Sequence, residues 1–323
     1  MRTISSNRQK KCLRIGRSAL QVTVLLALCA GGCGQLAVHA GNTVSTGEQD
    51  TFLPALVERG HGLFSDRLDH VEVSFYAGGK ELARALTDEV GYAVAVGRIP
   101  PGARTLEARA NVNGHALRSE SEVLSWQPGR TVLVCDVDGT ISKSDLGTLI
   151  YAVVEHADFT CPEVPDAAET LQVLSKQYNI VYLTDRPVYL REASYKWLNL
   201  HKFPPGPVIC TPNLKTSEEV LKFKRGIIGK MKELYPDALI GFGNEETDAD
   251  AYVDNGMLAI MVDDGKHPPF RRDAYFLRTW TRIHQFLDDN HDVLRDPSRL
   301  RTMMSQGRLP FTPPQGLPSK SSG

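Results

Sequence analysis

The chain has 323 residues and 41% hydrophobic content, enough to bury two cores of ordinary size. Its formal charge of −1 conceals an asymmetry, because residues 1–33 carry six basic residues and no acidic one. The remainder has 31 basic against 38 acidic residues, a net charge of −7. Nonspecific binding to nucleic acid depends on neutralising phosphates with basic side chains. We therefore expect no nucleic-acid partner.

Residues 1–40 have the pattern of an export signal. A basic start is followed by an uncharged run over residues 18–38, with an apolar centre at residues 22–30. The uncharged run is about long enough to span a bilayer, so an uncleaved anchor is one interpretation. Cleavage after Ala40, which follows Val38 and His39, is a second interpretation and gives a secreted protein.

A lipoprotein signal is the interpretation that we favour. Ala30-Gly31-Gly32-Cys33 resembles a bacterial lipobox, in which Cys33 becomes the lipidated first residue. Its first position holds Ala where Leu is usual. The expected location is the bacterial cell envelope, with the protein anchored at a membrane surface.

Residues 41–52 are polar and predict a flexible linker, and residues 53–128 follow with the pattern of short strands. Val71, Val73 and Phe75 alternate with polar residues, as in a half-buried strand. Turn residues recur at short intervals, which predicts a small β-sandwich domain of the immunoglobulin or transthyretin-like type. No catalytic constellation is evident there. We expect a spacer or docking module with an unknown partner.

Residues 129–290 alternate between strands and helices. This alternation predicts an α/β domain with a parallel sheet covered by helices on both faces. The predicted strands are residues 132–135, 179–183, 207–209, 238–242 and 258–262. The predicted helices are residues 146–156, 165–178, 189–200, 217–234 and about 275–287. Polar clusters follow the strands, so they are expected to share one edge of the sheet.

The first cluster is Asp136 and Asp138, which follow a short apolar strand and precede Gly139 and Thr140. Burying carboxylates is costly unless a cation compensates, and Mg²⁺ prefers such hard oxygen ligands. The alternative is a hairpin turn, because Asp-Gly is a common turn pair. A strand followed by Asp-x-Asp-Gly-Thr resembles the first motif of the haloacid-dehalogenase-like phosphohydrolases. The resemblance implies that Asp136 attacks phosphorus and that Asp138 is the general acid/base.

The later clusters supply the other parts that phosphoryl transfer needs. Thr184 follows the second strand and, with Thr140, is a candidate phosphate-binding residue. A lysine is needed to neutralise the phosphate and the nucleophile. Asn244 and Asp248 follow the fourth strand, and with the first-motif aspartates they form the predicted Mg²⁺ site. Any one of these residues has a structural explanation, but their joint order favours an enzyme.

Four segments resemble the lipin-type phosphatidate phosphatases more closely than the wider superfamily. They are DVDGTISKSD, PPGPVICTP, FKRGIIGKMKELYP and GFGNEETDADAY, which lie within residues 132–262. The third segment selects Lys224 over Lys222 as the phosphate-binding lysine. The resemblance implies a Mg²⁺-dependent lipid-phosphate phosphatase without a large cap domain. Phosphatidate, converted to diacylglycerol, is the leading substrate.

The chain also departs from the lipin pattern. Thr184-Asp185-Arg186-Pro187 stands where lipins have Ser followed by Ala-Arg, which places an extra acid near the phosphate. We expect a β-domain in place of the amino-terminal lipin domain, and lipins act inside cells. Two other functions therefore stay open: a phosphatase for soluble sugar or nucleotide phosphates, and a noncatalytic phosphatidate sensor. Such sensors usually lack the second aspartate, so Asp138 favours catalysis.

Three further expectations concern the rest of the chain. Cys161 and Cys210 could form a disulfide in an oxidising compartment, although the sequence does not establish that they meet. The apolar residues of the helix over 189–200 either contact lipid or pack on the sheet, and packing is favoured. Residues 291–323 become basic and then rich in Pro, Gly and Ser, which predicts a disordered tail.

Overall fold

The computed structural model describes residues 34–47, 49–60, 65–144, 161–212, 214, 216–262 and 273–306. Cys33 and the helix predicted over residues 146–156 lie outside the described residues. In the part of the chain that is described, no helix combines the length and apolar character needed to cross a membrane.

The amino-terminal part consists of strands in two sheets. The strands are β1 (Leu36–Ala40), β2 (Thr43–Ser45), β3 (Thr51–Arg59), β4 (Asp66–Arg67), β5 (Glu72–Ala77), β6 (Lys80–Leu86), β7 (Tyr92–Gly97), β8 (Thr105–Val112) and β9 (His115–Ser125). In one sheet, β3 pairs antiparallel with β1, β4 and β7. The other sheet has the order β2-β9-β8-β5-β6, and its β2–β9 pair is parallel.

Alternating side chains from both sheets enclose one apolar core. Val73 and Phe75 of β5 are fully buried, and they belong to the same core as Leu53 of β3 and Leu106 of β8. Successive side chains of a strand point to opposite faces of the sheet. The alternating apolar residues of β5 therefore all face the core. The assignment to an immunoglobulin or transthyretin-like sandwich stays a prediction.

The start of this part differs from the prediction. The linker over residues 41–52 contains β2, in which Thr43 and Val44 are fully buried. The segment predicted as an export signal up to residue 40 includes β1, which pairs with β3 over five residues. Both strands bury apolar side chains against the sheets. This burial stabilises an ordered structure in a segment whose polar composition suggested a flexible linker.

The carboxyl-terminal part has a parallel sheet, as predicted, with six strands where five were expected. Its elements are β10 (Val132–Cys135), α1 (Ala167–Ser175), β11 (Asn179–Pro187), α2 (Arg191–Leu200), β12 (Val208–Thr211), α3 (Ser217–Leu234), β13 (Ala238–Gly243), α4 (Glu246–Asp254), β14 (Leu258–Val262), β15 (Tyr275–Leu277) and α5 (Trp280–Asp289). The strand order is β12-β11-β10-β13-β14-β15, and every pair is parallel. The first motif therefore leaves the sheet from its centre.

Two predictions at the carboxyl-terminal end are wrong. The helix expected from about residue 275 begins at Trp280, because Tyr275–Leu277 pairs with β14 and Thr279 caps the helix. Residues 291–306 are not disordered: they form α6 (His291–Leu294) and α7 (Pro297–Ser305). Leu294 and Leu300 are buried, so apolar packing stabilises a segment that its basic composition suggested was a tail.

An aromatic seam joins the two parts. Tyr235 packs against Trp126 with ring centroids 5.2 Å apart and donates a hydrogen bond from its hydroxyl to Thr51 Oγ1 at 2.7 Å. Nearby, the rings of Tyr92 and Phe223 meet edge to face at 5.1 Å. Phe223 belongs to α3, so this helix packs directly on the amino-terminal sheets.

Two smaller expectations are also resolved in the described residues. Cys161 and Cys210 are both buried and free, so no disulfide joins them. Trp197 and Leu198 of α2 are buried in the core, which confirms packing over lipid contact for that face of the helix.

Candidate active site

Three strand ends and one helix bring the predicted site residues together. The ends of β10, β11 and β13 lie at the same edge of the sheet, because adjacent parallel strands share a direction. The structure places Asp136 and Asp138 after β10 and Thr184 within β11. Asn244 follows β13, and α3 supplies a lysine to the same edge.

Asp136 is the most enclosed of the first-motif acids, at 2% exposed. Its backbone N–H donates to the Phe242 carbonyl at 2.8 Å, which extends the pairing between β10 and β13. Its Oδ1 accepts from Lys224 Nζ at 3.0 Å, and its Oδ2 accepts from Thr140 Oγ1 at 3.1 Å. Both oxygens of this carboxylate are therefore held in fixed directions.

Lys224, rather than Lys222, is the lysine at this edge. Lys224 is buried, and its Nζ lies 3.0 Å from Asp136 Oδ1 and 2.7 Å from Asp248 Oδ1. Lys222 lies two residues earlier on α3, is exposed, and pairs with Glu89. The two lysines point to opposite environments because residues two apart on a helix do not share a face.

The loop after β13 is ordered by Asp248. Its Oδ2 accepts hydrogen bonds from the backbone N–H groups of Asn244 and Glu245, both at 3.2 Å. This contact forms part of a capping box at the start of α4. Asp248 thus caps the helix with one oxygen and holds Lys224 with the other.

Thr140 connects the first motif to this loop. Its hydroxyl lies 3.1 Å from Asp136 Oδ2 and 2.9 Å from Asn244 Oδ1. Its backbone carbonyl accepts a hydrogen bond from Trp280 Nε1 at 2.8 Å, so the first residue of α5 also holds the motif in place. Thr140 was predicted to bind phosphate. In the structure its hydroxyl contacts Asp136 and Asn244.

Gly139 allows the two loops to approach each other. Its φ is +77°, in the left-handed region that favours glycine. A Cβ atom at this position would lie 2.3 Å from Asn244 Nδ2. The Gly of the first motif is therefore required both by its backbone conformation and by its contact with Asn244.

Asp138 pairs with a residue that the sequence analysis did not include in the site. Arg186 is 1% exposed, and its Nε and Nη2 donate to Asp138 Oδ2 and Oδ1, each at 2.7 Å. Thr184, predicted to bind phosphate, lies 3.4 Å from Asp138 Oδ2 through its hydroxyl. Arg186 follows Asp185 at the position where the lipin pattern also has Arg. Its charge at the end of an apolar strand was the signal that could have identified it.

The site holds four aspartates against two basic side chains, Lys224 and Arg186. Burial raises the pKa of the Asp136 carboxyl well above its usual range, although Lys224 opposes that rise. Burial alone would lower the pKa of Lys224, but Asp136, Asp248 and Asp185 raise it above its ordinary value. Lys224 is therefore charged, and its single charge is shared between two buried carboxylates.

Asp185 adds to this excess of negative charge. Desolvation raises the pKa of its carboxyl, as do the nearby charges of Asp138 and Asp248, while Lys224 lowers it. Asp185 is an exposed residue. A cation bound at this edge would reduce the repulsion among these acids.

The oxygen donors at this edge fit Mg²⁺ in their chemistry. The Thr140 hydroxyl has one proton, yet it lies within hydrogen-bond distance of both Asp136 Oδ2 and Asn244 Oδ1. One of these acceptors is left without that proton, and hard oxygens of this kind are the ligands that Mg²⁺ prefers. In the described residues, no three His, Cys, Asp or Glu side chains are arranged as a metal-binding group. Asp138, the fourth predicted ligand, has its carboxylate directed to Arg186.

Replacing Lys224 by Met should destabilise the protein, because two buried carboxylates would lose their shared cation. Without divalent metal, we expect the free energy of unfolding to fall by about 3 kcal/mol or more, as when one partner is removed from a buried ion pair. The matched control is Lys222→Met on the same helix, which should change it by less than about 1 kcal/mol. Denaturant unfolding measures both. Equal effects would contradict the arrangement around Lys224.

Substituting Gly139 by Ala should cost more stability than the backbone conformation alone explains. Gly129 is a matched control, because its φ is +73° and a Cβ atom there would meet nothing within 4 Å. We expect about 1–2 kcal/mol for Gly129→Ala and a further 1–3 kcal/mol for Gly139→Ala from the clash with Asn244. Indistinguishable unfolding free energies would show that the two loops do not meet as described.

Two proteins from fungi are similar to this chain. Phosphatidic acid phosphohydrolase 1 of Saccharomyces cerevisiae is 27% identical over 228 residues, which is 60% of this chain and 26% of that protein. Nuclear elongation and deformation protein 1 of Schizosaccharomyces pombe is 26% identical over 219 residues, which is 61% of this chain and 31% of that protein. The chain thus spans between a quarter and a third of the length of these relatives.

A solved structure and a family model were also matched. A haloacid dehalogenase-like hydrolase from Xanthomonas campestris aligns over 55% of this chain and 100% of its own, with 11% identity and a TM-score of 0.34. That similarity is too low to support an argument. The family model described as LNS2 (Lipin/Ned1/Smp2) matches residues 99–262, just over half of the chain. It includes every residue of the site described above, and the chain therefore belongs to the LNS2 (Lipin/Ned1/Smp2) family.

Proposed function

We propose that this protein is a Mg²⁺-dependent phosphatase that hydrolyses a phosphomonoester through an aspartyl-phosphate intermediate. The observation that carries the proposal is the arrangement of two aspartates after β10, each held by its own buried cation. Lys224 holds Asp136, and Arg186 holds Asp138. Phosphoryl transfer requires an oriented nucleophile, a proton donor for the leaving oxygen and positive charge near both.

In the proposed reaction, an oxygen of Asp136 attacks phosphorus and the bond from phosphorus to the ester oxygen breaks. Asp138 gives its proton to that leaving oxygen. In the second half, Asp138 removes a proton from water, and the water oxygen attacks phosphorus. The bond from phosphorus to the Asp136 oxygen then breaks, which releases phosphate and the free Asp136 carboxylate. General acid/base assistance of this kind contributes about 10²–10⁴-fold to the rate. Lys224 stabilises the negative charge that develops next to Asp136.

Mg²⁺, when bound, would be held by oxygens of Asp136, Asn244 and Asp248, and it would neutralise charge on the phosphoryl group. Thr140 keeps Asp136 and Asn244 at a fixed separation through its hydroxyl. The Thr184 hydroxyl accepts the Arg186 backbone N–H at 3.2 Å, so it orders the second motif. A direct contact from either threonine to phosphate stays part of the proposal.

Phosphatidate is the substrate that we propose. A related protein is named for phosphatidic acid hydrolysis, and the LNS2 (Lipin/Ned1/Smp2) model that matches this chain spans its site. The resemblance to lipins implies a site without a large cap domain, which would suit a bulky ester presented at a membrane surface. The other candidate is a soluble sugar or nucleotide phosphate, which the same residues would hydrolyse. A noncatalytic sensor is disfavoured because Asp138 is present and both of its carboxylate oxygens accept hydrogen bonds from Arg186.

The test is phosphate release by the full chain from phosphatidate in mixed micelles and from a panel of soluble monoesters, with and without Mg²⁺. We expect Mg²⁺-dependent release, with phosphatidate preferred. Asp136→Asn should reduce release to background while unfolding at a similar denaturant concentration, because it replaces the nucleophilic carboxylate with a carboxamide of the same shape.

The outcomes separate the candidates. Release chiefly from soluble esters would keep the mechanism and change the substrate. Binding to phosphatidate vesicles without release from any ester would make the protein a sensor. A tenth of the activity retained by Asp136→Asn would exclude Asp136 as the nucleophile.

We also propose that the protein is an exported lipoprotein whose amino-terminal sheets form a sandwich of the immunoglobulin or transthyretin-like type. Removal of residues 1–40 would delete β1, whose Val38 and Ala40 are buried against β3, and this supports processing upstream of β1. Cys33 fits that requirement.

Cys33→Ser should abolish incorporation of labelled palmitate in a bacterial host and release the protein from membranes. Cys29→Ser, in the same apolar segment, is the matched control and should label normally. A mature chain that starts at Gly41 would contradict this processing.

A further inference from the structure

The Asp138 carboxylate is surrounded by side chains that leave it little freedom to turn. Arg186 donates to both of its oxygens, and Ser144 donates to Oδ1. Ser142 Oγ lies 3.3 Å from the same oxygen, and Thr184 Oγ1 lies 3.4 Å from Oδ2. Asp138 nevertheless remains 16% exposed, so it is open to the site on one side.

Arg186 is itself held from two other elements. Its Nη1 donates to Ser194 Oγ of α2 at 2.9 Å, and Ser194 Oγ donates to the Leu190 carbonyl at 2.9 Å. The backbone carbonyl of Arg186 accepts a hydrogen bond from Thr211 Oγ1, at the end of β12, at 3.3 Å. The guanidinium is planar and its N–H groups have fixed directions, so a two-point contact sets the plane of the carboxylate.

The two aspartates of the first motif therefore have separate cations. Lys224 contacts Asp136 and Asp248, while Arg186 contacts Asp138. A lysine ammonium is a point charge, which suits the neutralisation of a nucleophile beside phosphate. An arginine fork instead fixes orientation, which suits a group that must give a proton in one half-reaction and take one in the other.

We propose that Arg186 is a positioning residue that orients the Asp138 carboxylate toward the leaving oxygen. The inference rests on the proposed phosphatase function. Proton transfer requires the donor and acceptor atoms to lie about 2.6–3.2 Å apart, so a freely rotating carboxylate would lose much of its effect. Arg186 then determines how well the enzyme hydrolyses esters whose leaving group is a poor alkoxide. Esters with a stable leaving anion need no proton and depend little on it.

The test compares kcat for two substrates of the full-length protein: an alkyl phosphate that the wild type hydrolyses, and para-nitrophenyl phosphate. For Arg186→Gln we expect the alkyl phosphate rate to fall by about 10²-fold, within the range of general acid/base assistance. The para-nitrophenyl phosphate rate should fall by less than about fivefold, because its leaving group departs as an anion. Arg186→Lys should not rescue the alkyl phosphate rate, since it keeps the charge and loses the fork.

Two further variants make the test independent of folding defects. Ser144→Ala removes one hydroxyl from Asp138 without removing a buried charge, and it should lower the alkyl phosphate rate selectively by about 3- to 10-fold, the effect of about one hydrogen bond. Combining Arg186→Gln with Asp138→Asn should be no worse than Asp138→Asn alone, because coupled residues are not additive. Arg225→Gln, which breaks an exposed pair with Asp254, is the neutral control.

The results distinguish this inference from the function on which it rests. If the wild type hydrolyses both esters, equal losses on both substrates in Arg186→Gln and Ser144→Ala would overturn the positioning role. Additive losses in the double variant would overturn it as well. If the wild type hydrolyses no ester, the proposed function is wrong and this inference falls with it.

Discussion

The shared ammonium group of Lys224 is the interaction on which the site depends. Two carboxylates lie buried here, that of Asp136 just after β10 and that of Asp248 in the first turn of α4. Each would be costly to bury without a cation, and both contact Lys224. Lys224 reaches both, so the loops after β10 and β13 are held at the separation that the site needs. The position of α3 relative to the sheet follows from this requirement.

The amino-terminal sheets contribute to that position. Phe223 and Lys224 are adjacent on α3, and Phe223 packs against Tyr92 of β7. At the end of the same helix, Tyr235 contacts Phe52 and Trp126 and bonds to Thr51. The helix that carries Lys224 thus packs against the amino-terminal sheets as well as against its own sheet. The sheets are part of the support for the site, which is more than the spacer that their lack of catalytic residues suggested.

The sequence predicted those parts of the fold that depend on local pattern. Apolar runs alternating with amphipathic helices located the parallel sheet, and the polar residues after each strand located its functional edge. Two of the mistakes, the linker and the tail, came from segments whose composition is polar or basic but whose few apolar residues are buried in a core. Val44 in β2 and Leu300 in α7 are examples, because both are fully buried. Composition does not reveal which partners such residues will meet.

Most of the residues that lie at the site could be predicted from the sequence. The contacts that they make with one another could not. The choice of Lys224 over Lys222 came from the resemblance to lipins and agrees with the direction of the two side chains. Arg186 was missed because its partner, Asp138, is 48 residues away in sequence, and only the pairing of β10 with β11 brings them together. The contacts of Thr140 with Asp136 and Asn244 were not predicted, and they arise because the glycine before it lets the loops approach closely. Its contact with phosphate stays a prediction.

The central claim is that Asp136 becomes covalently phosphorylated, and trapping that species tests it most directly. The full chain would be mixed with substrate and Mg²⁺, quenched in acid within the first turnover, digested, and searched by mass spectrometry for a phosphorylated peptide. We predict an acyl phosphate on Asp136, labile to hydroxylamine. A phosphoryl group on any other residue, or turnover with no phosphorylated protein at any time, would contradict the mechanism.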